Sequence, residues 1–114
     1  MPRDDAIILD ILKAARLVVA FKDNLDQSAF QYDLKTQSAI LHQLLVLGEA
    51  VKRLSEGFRS HHAHIPWKMI AGMRDKLIHG YDAVDLDEVW KTVSADIPHL
   101  ITLLEPLEPQ RRNA

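Results

Sequence analysis

Along residues 5–22 the apolar positions Ile7, Ile8, Ile11, Leu12, Ala15, Val18 and Val19 recur at i, i+3, i+4 spacing, which predicts an amphipathic helix. Asp4 or Asp5 is placed to cap its start. Residues 23–33 are polar and irregular, with room for a short helix beginning near Ser28, and Phe30 and Tyr32 are their expected anchors on the core. A longer helical pattern follows over residues 33–57 through Ile40, Leu41, Leu44, Leu47, Gly48, Val51, Leu54 and Phe58, widened by Leu45 and Val46. An apolar arc this broad asks for partners on two sides, which points to self-association. Gly48 within it costs about 1 kcal/mol relative to Ala, so it is expected to mark a close helix contact.

A loop is expected over residues 59–65, where His61, His62 and His64 cluster. Pro66 suits the first turn of a third helix through Trp67, Ile70, Met73, Leu77 and Ile78, with Gly80 as its stop. Asp85 and Glu88 form a capping box for a fourth helix with Leu86, Val89, Trp90 and Val93. Pro98 must kink or restart it before Leu100, Ile101, Leu103 and Leu104, and residues 105–114, with two prolines and Arg111-Arg112, read as a frayed tail. Strand alternation, internal repeats and a Gly-rich phosphate loop are all missing from the pattern. The expected fold is all-α, an up-and-down bundle of four to five helices forming one domain over residues 1–114.

Composition narrows the chemistry. At 47% hydrophobic and 26% charged, the chain has the balance of an ordinary globular protein rather than a disordered or fibrous one. Without cysteine it has no disulfide framework, thiolate metal site or Cys nucleophile. No apolar run approaches the length of about 18 residues needed to span a bilayer, and the Met-Pro-Arg-Asp-Asp start differs from a signal peptide, so a cytoplasmic location is expected. A net charge of -2 supplies no global positive field for nucleic acid, so any such chemistry must rest on a local patch.

One segment is dense in reactive groups: Arg74-Asp75-Lys76-Leu77-Ile78-His79-Gly80-Tyr81. A guanidinium suits phosphate oxygens bidentately, and an imidazole titrating near neutrality can take and return a proton. On a continuous helix Arg74 and His79 are separated by about 140° and about 7.5 Å, and so do not share a face. A two-fold axis along that helix would instead bring the motifs of two subunits into one cleft. Asp75, four residues before His79, does share its face and is placed to orient the imidazole or raise its pKa. The same residues also read structurally, with Arg74 and Asp75 as solvated charges, His79 near a helix C-terminal dipole and Tyr81 packed on the core.

The string Arg-x4-His-x-Tyr at Arg74, His79 and Tyr81 resembles the signature of the HepT-like toxins of the HEPN superfamily, the partners of MNT-type nucleotidyltransferase antitoxins. Its surroundings match as well: Gly48-Glu49-Ala50 and Lys52-Arg53-Leu54, then Ile65-Pro66-Trp67, then Asp85 to Trp90 with Asp96-Ile97-Pro98. The resemblance implies a HEPN-like homodimer with a metal-independent endoribonuclease site at its interface. In that site a ribose 2′-hydroxyl attacks the adjacent phosphate, His79 moves protons and Arg74 stabilises the phosphorane. It further implies a type VII-like toxin–antitoxin pair in which the cognate nucleotidyltransferase places AMP on Tyr81 and silences the toxin. The implied partners are RNA, a second copy of the chain and the antitoxin, with no cofactor, metal or membrane. Asp75 departs from the Asn that often follows the Arg, and a carboxylate there opposes RNA phosphate.

A non-catalytic alternative stays open, in which the segment serves only as a docking surface and AMP acceptor for the nucleotidyltransferase. Glu49 reads either as a supporting partner of the motif or as a structural ion pair. His61, His62 and His64 read as solvated imidazoles or, against expectation, as metal ligands. Trp67 and Trp90 read as core or interface aromatics.

Overall fold

The computed structural model of the chain describes residues 2–79 and 83–109, residue 79 by its backbone alone. Helices α1 (Arg3–Lys22) and α3 (Leu34–Arg53), twenty residues each, pack along one another and carry the apolar stripes read from the sequence. A third long helical stretch is built of α7 (Leu86–Lys91), a π turn over Thr92–Asp96 and α8 (Ile97–Leu104). Between them lie the short helices α2 (Gln27–Tyr32), α4 (Glu56–His61), α5 (Trp67–Ala71) and α6 (Met73–Leu77). The architecture is the expected all-α one. Among the described residues no helix is long and apolar enough to cross a membrane.

Ile8, Ile11, Leu12 and Val18 of α1, Ile40, Leu44, Leu47 and Val51 of α3, and Ile97, Leu100 and Leu104 of α8 form one core with Ile70, Met73 and Leu77. Burying each large side chain contributes about 1.5–3 kcal/mol, so these positions fix how the helices meet. Phe30 is fully buried and tilts against Trp90 at 5.4 Å between ring centroids. The buried Gln37 side chain donates to the Phe30 carbonyl at 2.8 Å, which pins α2 to α3 without leaving the amide unpaired. The close approach expected at Gly48 is present, against α5.

Local chemistry overrides the sequence pattern at several places. α1 starts at Arg3 behind Pro2 with no side-chain cap. The Asp4 carboxylate instead accepts the Ser55 N–H at 2.9 Å and the Ser55 hydroxyl at 2.7 Å, tying α1 to the start of α4. These bonds, the backbone one foremost, hold the Asp4 carboxyl below the usual carboxylate range. Ser55 caps α4 through the Phe58 N–H, so α3 stops at Arg53 and a helix stands where the loop around residues 59–61 was expected. Tyr32 is no core anchor, because it is 87% exposed; Phe30 alone has that role.

The third helix is broken. Gly72, at φ −90° and ψ 8°, separates α5 from α6, and α6 ends at Leu77 because Ile78 is extended. Strand β1 (Ile78–His79) pairs antiparallel with β2 (Ala83–Val84), a ladder that alternation over such short runs cannot announce. At the fourth helix one half of the expected capping box is in place, Asp85 accepting the Glu88 N–H at 3.1 Å, while the Asp85 N–H donates to the Leu77 carbonyl and the Glu88 carboxylate lies beside Lys76. The irregularity expected at Pro98 is present: a π turn over Thr92–Asp96 interrupts the α pattern and α8 begins at Ile97, with the backbone helical throughout. The first part of the expected frayed tail is held too: residues Glu105–Leu107 form a 3-10 turn, and Arg16 pairs with Glu105 at 3.5 Å and Glu108 at 2.9 Å. Residues 110–114, with Arg111-Arg112, lie outside the described residues.

Candidate functional site

The reactive segment runs across a change of backbone. Arg74 and Asp75 stand on the five-residue α6, whereas His79 stands on β1, opposite Ala83 of β2. The Asp85 N–H donates to the Leu77 carbonyl at 2.9 Å, closing the base of this small hairpin. Gly80 and Tyr81, between the two strands in sequence, lie outside the described residues, as does the His79 side chain.

This geometry revises two expectations. Helical periodicity does not relate Arg74 to His79, since the helix ends between them. For the same reason Asp75 and His79 are not i, i+4 neighbours on one helical face. Asp75 lies beside Arg74 instead, 3.6 Å from Nη1, with both side chains largely in solvent at 87% and 60% exposure. An ion pair so exposed is weak, and the guanidinium can exchange it for a phosphate.

Glu49 pairs with Lys52 one turn on at 3.1 Å, a surface contact within α3. It belongs to an open face of α3 with His42, Leu45, Val46 and Arg53, and Val46 leaves 38% of its surface in water. The wide arc of α3 is covered by α1, α2, α5 and α6 of the same chain, and only the patch around Val46 stays open.

The histidine cluster is built on aromatic contact. His62, at the C-cap of α4, lies against Phe58 at 4.6 Å between ring centroids, with His61 at 5.0 Å and His64 at 6.2 Å. Burial lowers the His62 pKa below its usual 6.5, and the neighbouring imidazoles lower it further. Trp67 Nε1 donates to the His62 carbonyl at 3.0 Å, which fastens the turn to α5. Among the described residues no three His, Asp or Glu side chains are arranged to hold a metal ion.

Sequence reading passed over Lys76. Its Nζ lies 3.7 Å from Glu88 Oε2 and 3.8 Å from Asp96 Oδ2, linking α6 to α7 and to the end of the π turn. The signal was faint, since eight residues separate the two carboxylates and their convergence depends on the π turn.

A family model described as ribonuclease HepT-like matches residues 11–107. The chain belongs to the HepT-like ribonuclease family. It is 43% identical over 98 residues to the "Probable ribonuclease HepT" of Thermococcus cleftensis, covering 86% of this chain and 89% of that protein. It is also 37% identical over 109 residues to the "Putative RNase MJ0127" of Methanocaldococcus jannaschii, covering 94% and 90%. No solved structure gives a significant match. In this HepT-like chain the matched region spans every element from the middle of α1 to the 3-10 turn, so α6, β1 and β2 lie well inside it.

Proposed function

We propose that this chain is a metal-independent endoribonuclease, the toxin of a HepT/MntA-type toxin–antitoxin pair. The observation that carries this is the placement of Arg74 and His79 on a helix–hairpin segment inside a chain that matches the HepT-like ribonuclease family over residues 11–107.

In the proposed reaction the ribose 2′-hydroxyl attacks phosphorus and the bond to the 5′-oxygen breaks. His79 takes the proton from the attacking hydroxyl or returns one to the departing oxygen, and the Arg74 guanidinium stabilises the charge on the phosphorane. The products are a 2′,3′-cyclic phosphate and a 5′-hydroxyl, and no metal is needed because the nucleophile comes from the substrate. Two copies of the chain form the working unit, brought together through apolar surface such as that left open on α3. The two segments then supply paired positive charge despite the acidic whole.

Regulation rests on Tyr81. A partner nucleotidyltransferase transfers AMP from ATP to the phenol oxygen, with loss of the phenol proton and release of pyrophosphate. The added phosphate sits two residues from His79 in sequence, where it blocks the site and repels RNA. Incubating the chain with a cognate nucleotidyltransferase and ATP, then mapping the added mass by peptide mass spectrometry, tests this. The mass should fall on the peptide with Tyr81 and vanish in Tyr81→Phe; modification of the exposed Tyr32 would refute the assignment.

The rival reading, a non-catalytic module that docks the nucleotidyltransferase and accepts AMP, draws on one structural observation: the Asp75 carboxylate lies 3.6 Å from Arg74 and partly offsets its positive field. RNA cleavage by the purified chain separates the two.

A further inference from the structure

We infer that Lys76 is a positioning residue which, through Glu88 and Asp96, holds the segment bearing Arg74 and His79 in its working conformation. The inference rests on the ribonuclease reading of that segment.

α6 has only five residues, is parted from α5 at Gly72 and stops at Leu77. A helix this short makes too few internal hydrogen bonds to hold itself, so external ties set its orientation. Met73 and Leu77 press it onto the core. Lys76 supplies the lateral tie, 3.7 Å from Glu88 and 3.8 Å from Asp96. Residues two apart on a helix point about 200° apart, so anchoring Lys76 toward α7 aims Arg74 to the opposite side. The bond from the Asp85 N–H to the Leu77 carbonyl and the pairing of His79 with Ala83 extend the same tie to the imidazole-bearing strand.

The tie depends on the irregular fourth helix. On an unbroken α-helix Glu88 and Asp96, eight residues apart, would diverge by about 80°. The π turn over Thr92–Asp96 takes up one extra residue, which returns the two carboxylates to within about 20° of one stripe. That is why both reach a single ammonium group. Pro98, which forbids the ordinary helical bond at that point, therefore contributes to the placement of Arg74 at a distance.

The three side chains are 41%, 36% and 32% exposed, so the pairs add little to global stability. Two carboxylates around one ammonium also make a locally negative spot, which disfavours Lys76 as a direct phosphate ligand.

The test combines RNA-cleavage kinetics with amide hydrogen exchange on the full chain. Lys76→Met is expected to lower kcat about tenfold or more, with KM within about twofold and the unfolding midpoint little changed. Exchange should accelerate over Leu77–His79 and Ala83–Asp85. Lys76→Arg should restore both readouts. The pair Glu88→Gln with Asp96→Asn should reproduce the loss, and adding Lys76→Met to it should deepen it no further. Unchanged kcat with unchanged exchange overturns the inference. So does a rise in KM with a weaker salt dependence, which would make Lys76 a phosphate contact. A wild-type chain that cleaves no RNA overturns the ribonuclease reading, whereas exchange still decides whether Lys76 holds the segment.

Discussion

Gly48 on α3 admits the Ile70 carbonyl of α5 so closely that a Cβ at position 48 would stand 3.2 Å from that oxygen. The contact sets how near α5, and with it α6, can lie to α3. Gly48→Ala gains about 1 kcal/mol of helix propensity and loses a comparable amount to crowding, so its stability should stay near that of wild type. Gly48→Val has no such balance and should destabilise by about 1–3 kcal/mol in urea unfolding. A Val variant as stable as wild type would show that α5 moves freely.

The π turn carries an internal cost. Among the described residues the Thr92 hydroxyl is buried with no hydrogen-bond partner. Thr92→Val keeps the shape and removes the stranded polar atom, so it should be neutral or stabilising by up to about 1–3 kcal/mol. Measurable destabilisation in thermal or urea unfolding would mean that the hydroxyl has a partner in solution.

The His62 imidazole has a folded-state pKa lowered by burial against Phe58 and then by His61 and His64. Below its usual 6.5 the unfolded chain therefore binds a proton that the folded chain refuses. The His62 contribution to stability is complete above 6.5 and declines as pH falls from there toward the lower folded value. His62→Asn should lose stability uniformly yet show a shallower decline between about pH 7 and pH 5.5. Parallel curves for wild type and variant would sink the account.

The helical stripes were legible because α1, α3 and α8 bury large aliphatics on one side, and periodicity records that directly. Asp85 was legible as a cap since its role is local. Asp4 was misread because its carboxylate serves Ser55, 51 residues away, and no spacing rule reports such a bond. Gly80 was read as the helix stop, yet the extended Ile78 ends α6 first and the β1–β2 pairing carries His79 off the helix. That pairing also removed the face that Asp75 and His79 were expected to share. Arg74, His79 and Tyr81 drew notice through residue type and family resemblance rather than through any predicted geometry. Lys76 escaped because its two partners converge only through a π turn, which sequence periodicity does not encode.

The central claim is that Arg74 and His79 cleave RNA using the substrate's own 2′-hydroxyl, and one assay addresses it most directly. Purified wild type, Arg74→Ala and His79→Ala are incubated with RNA in excess EDTA, and the 3′ ends of the products are identified. Wild type should cleave and leave 2′,3′-cyclic or 3′-phosphates. Each variant should lose about a hundredfold or more in rate. Arg74→Ala should also keep its fold, because that side chain is 60% exposed and supports no core packing. Full cleavage by His79→Ala, or wild-type activity that disappears with EDTA and returns with a divalent metal, would contradict the account.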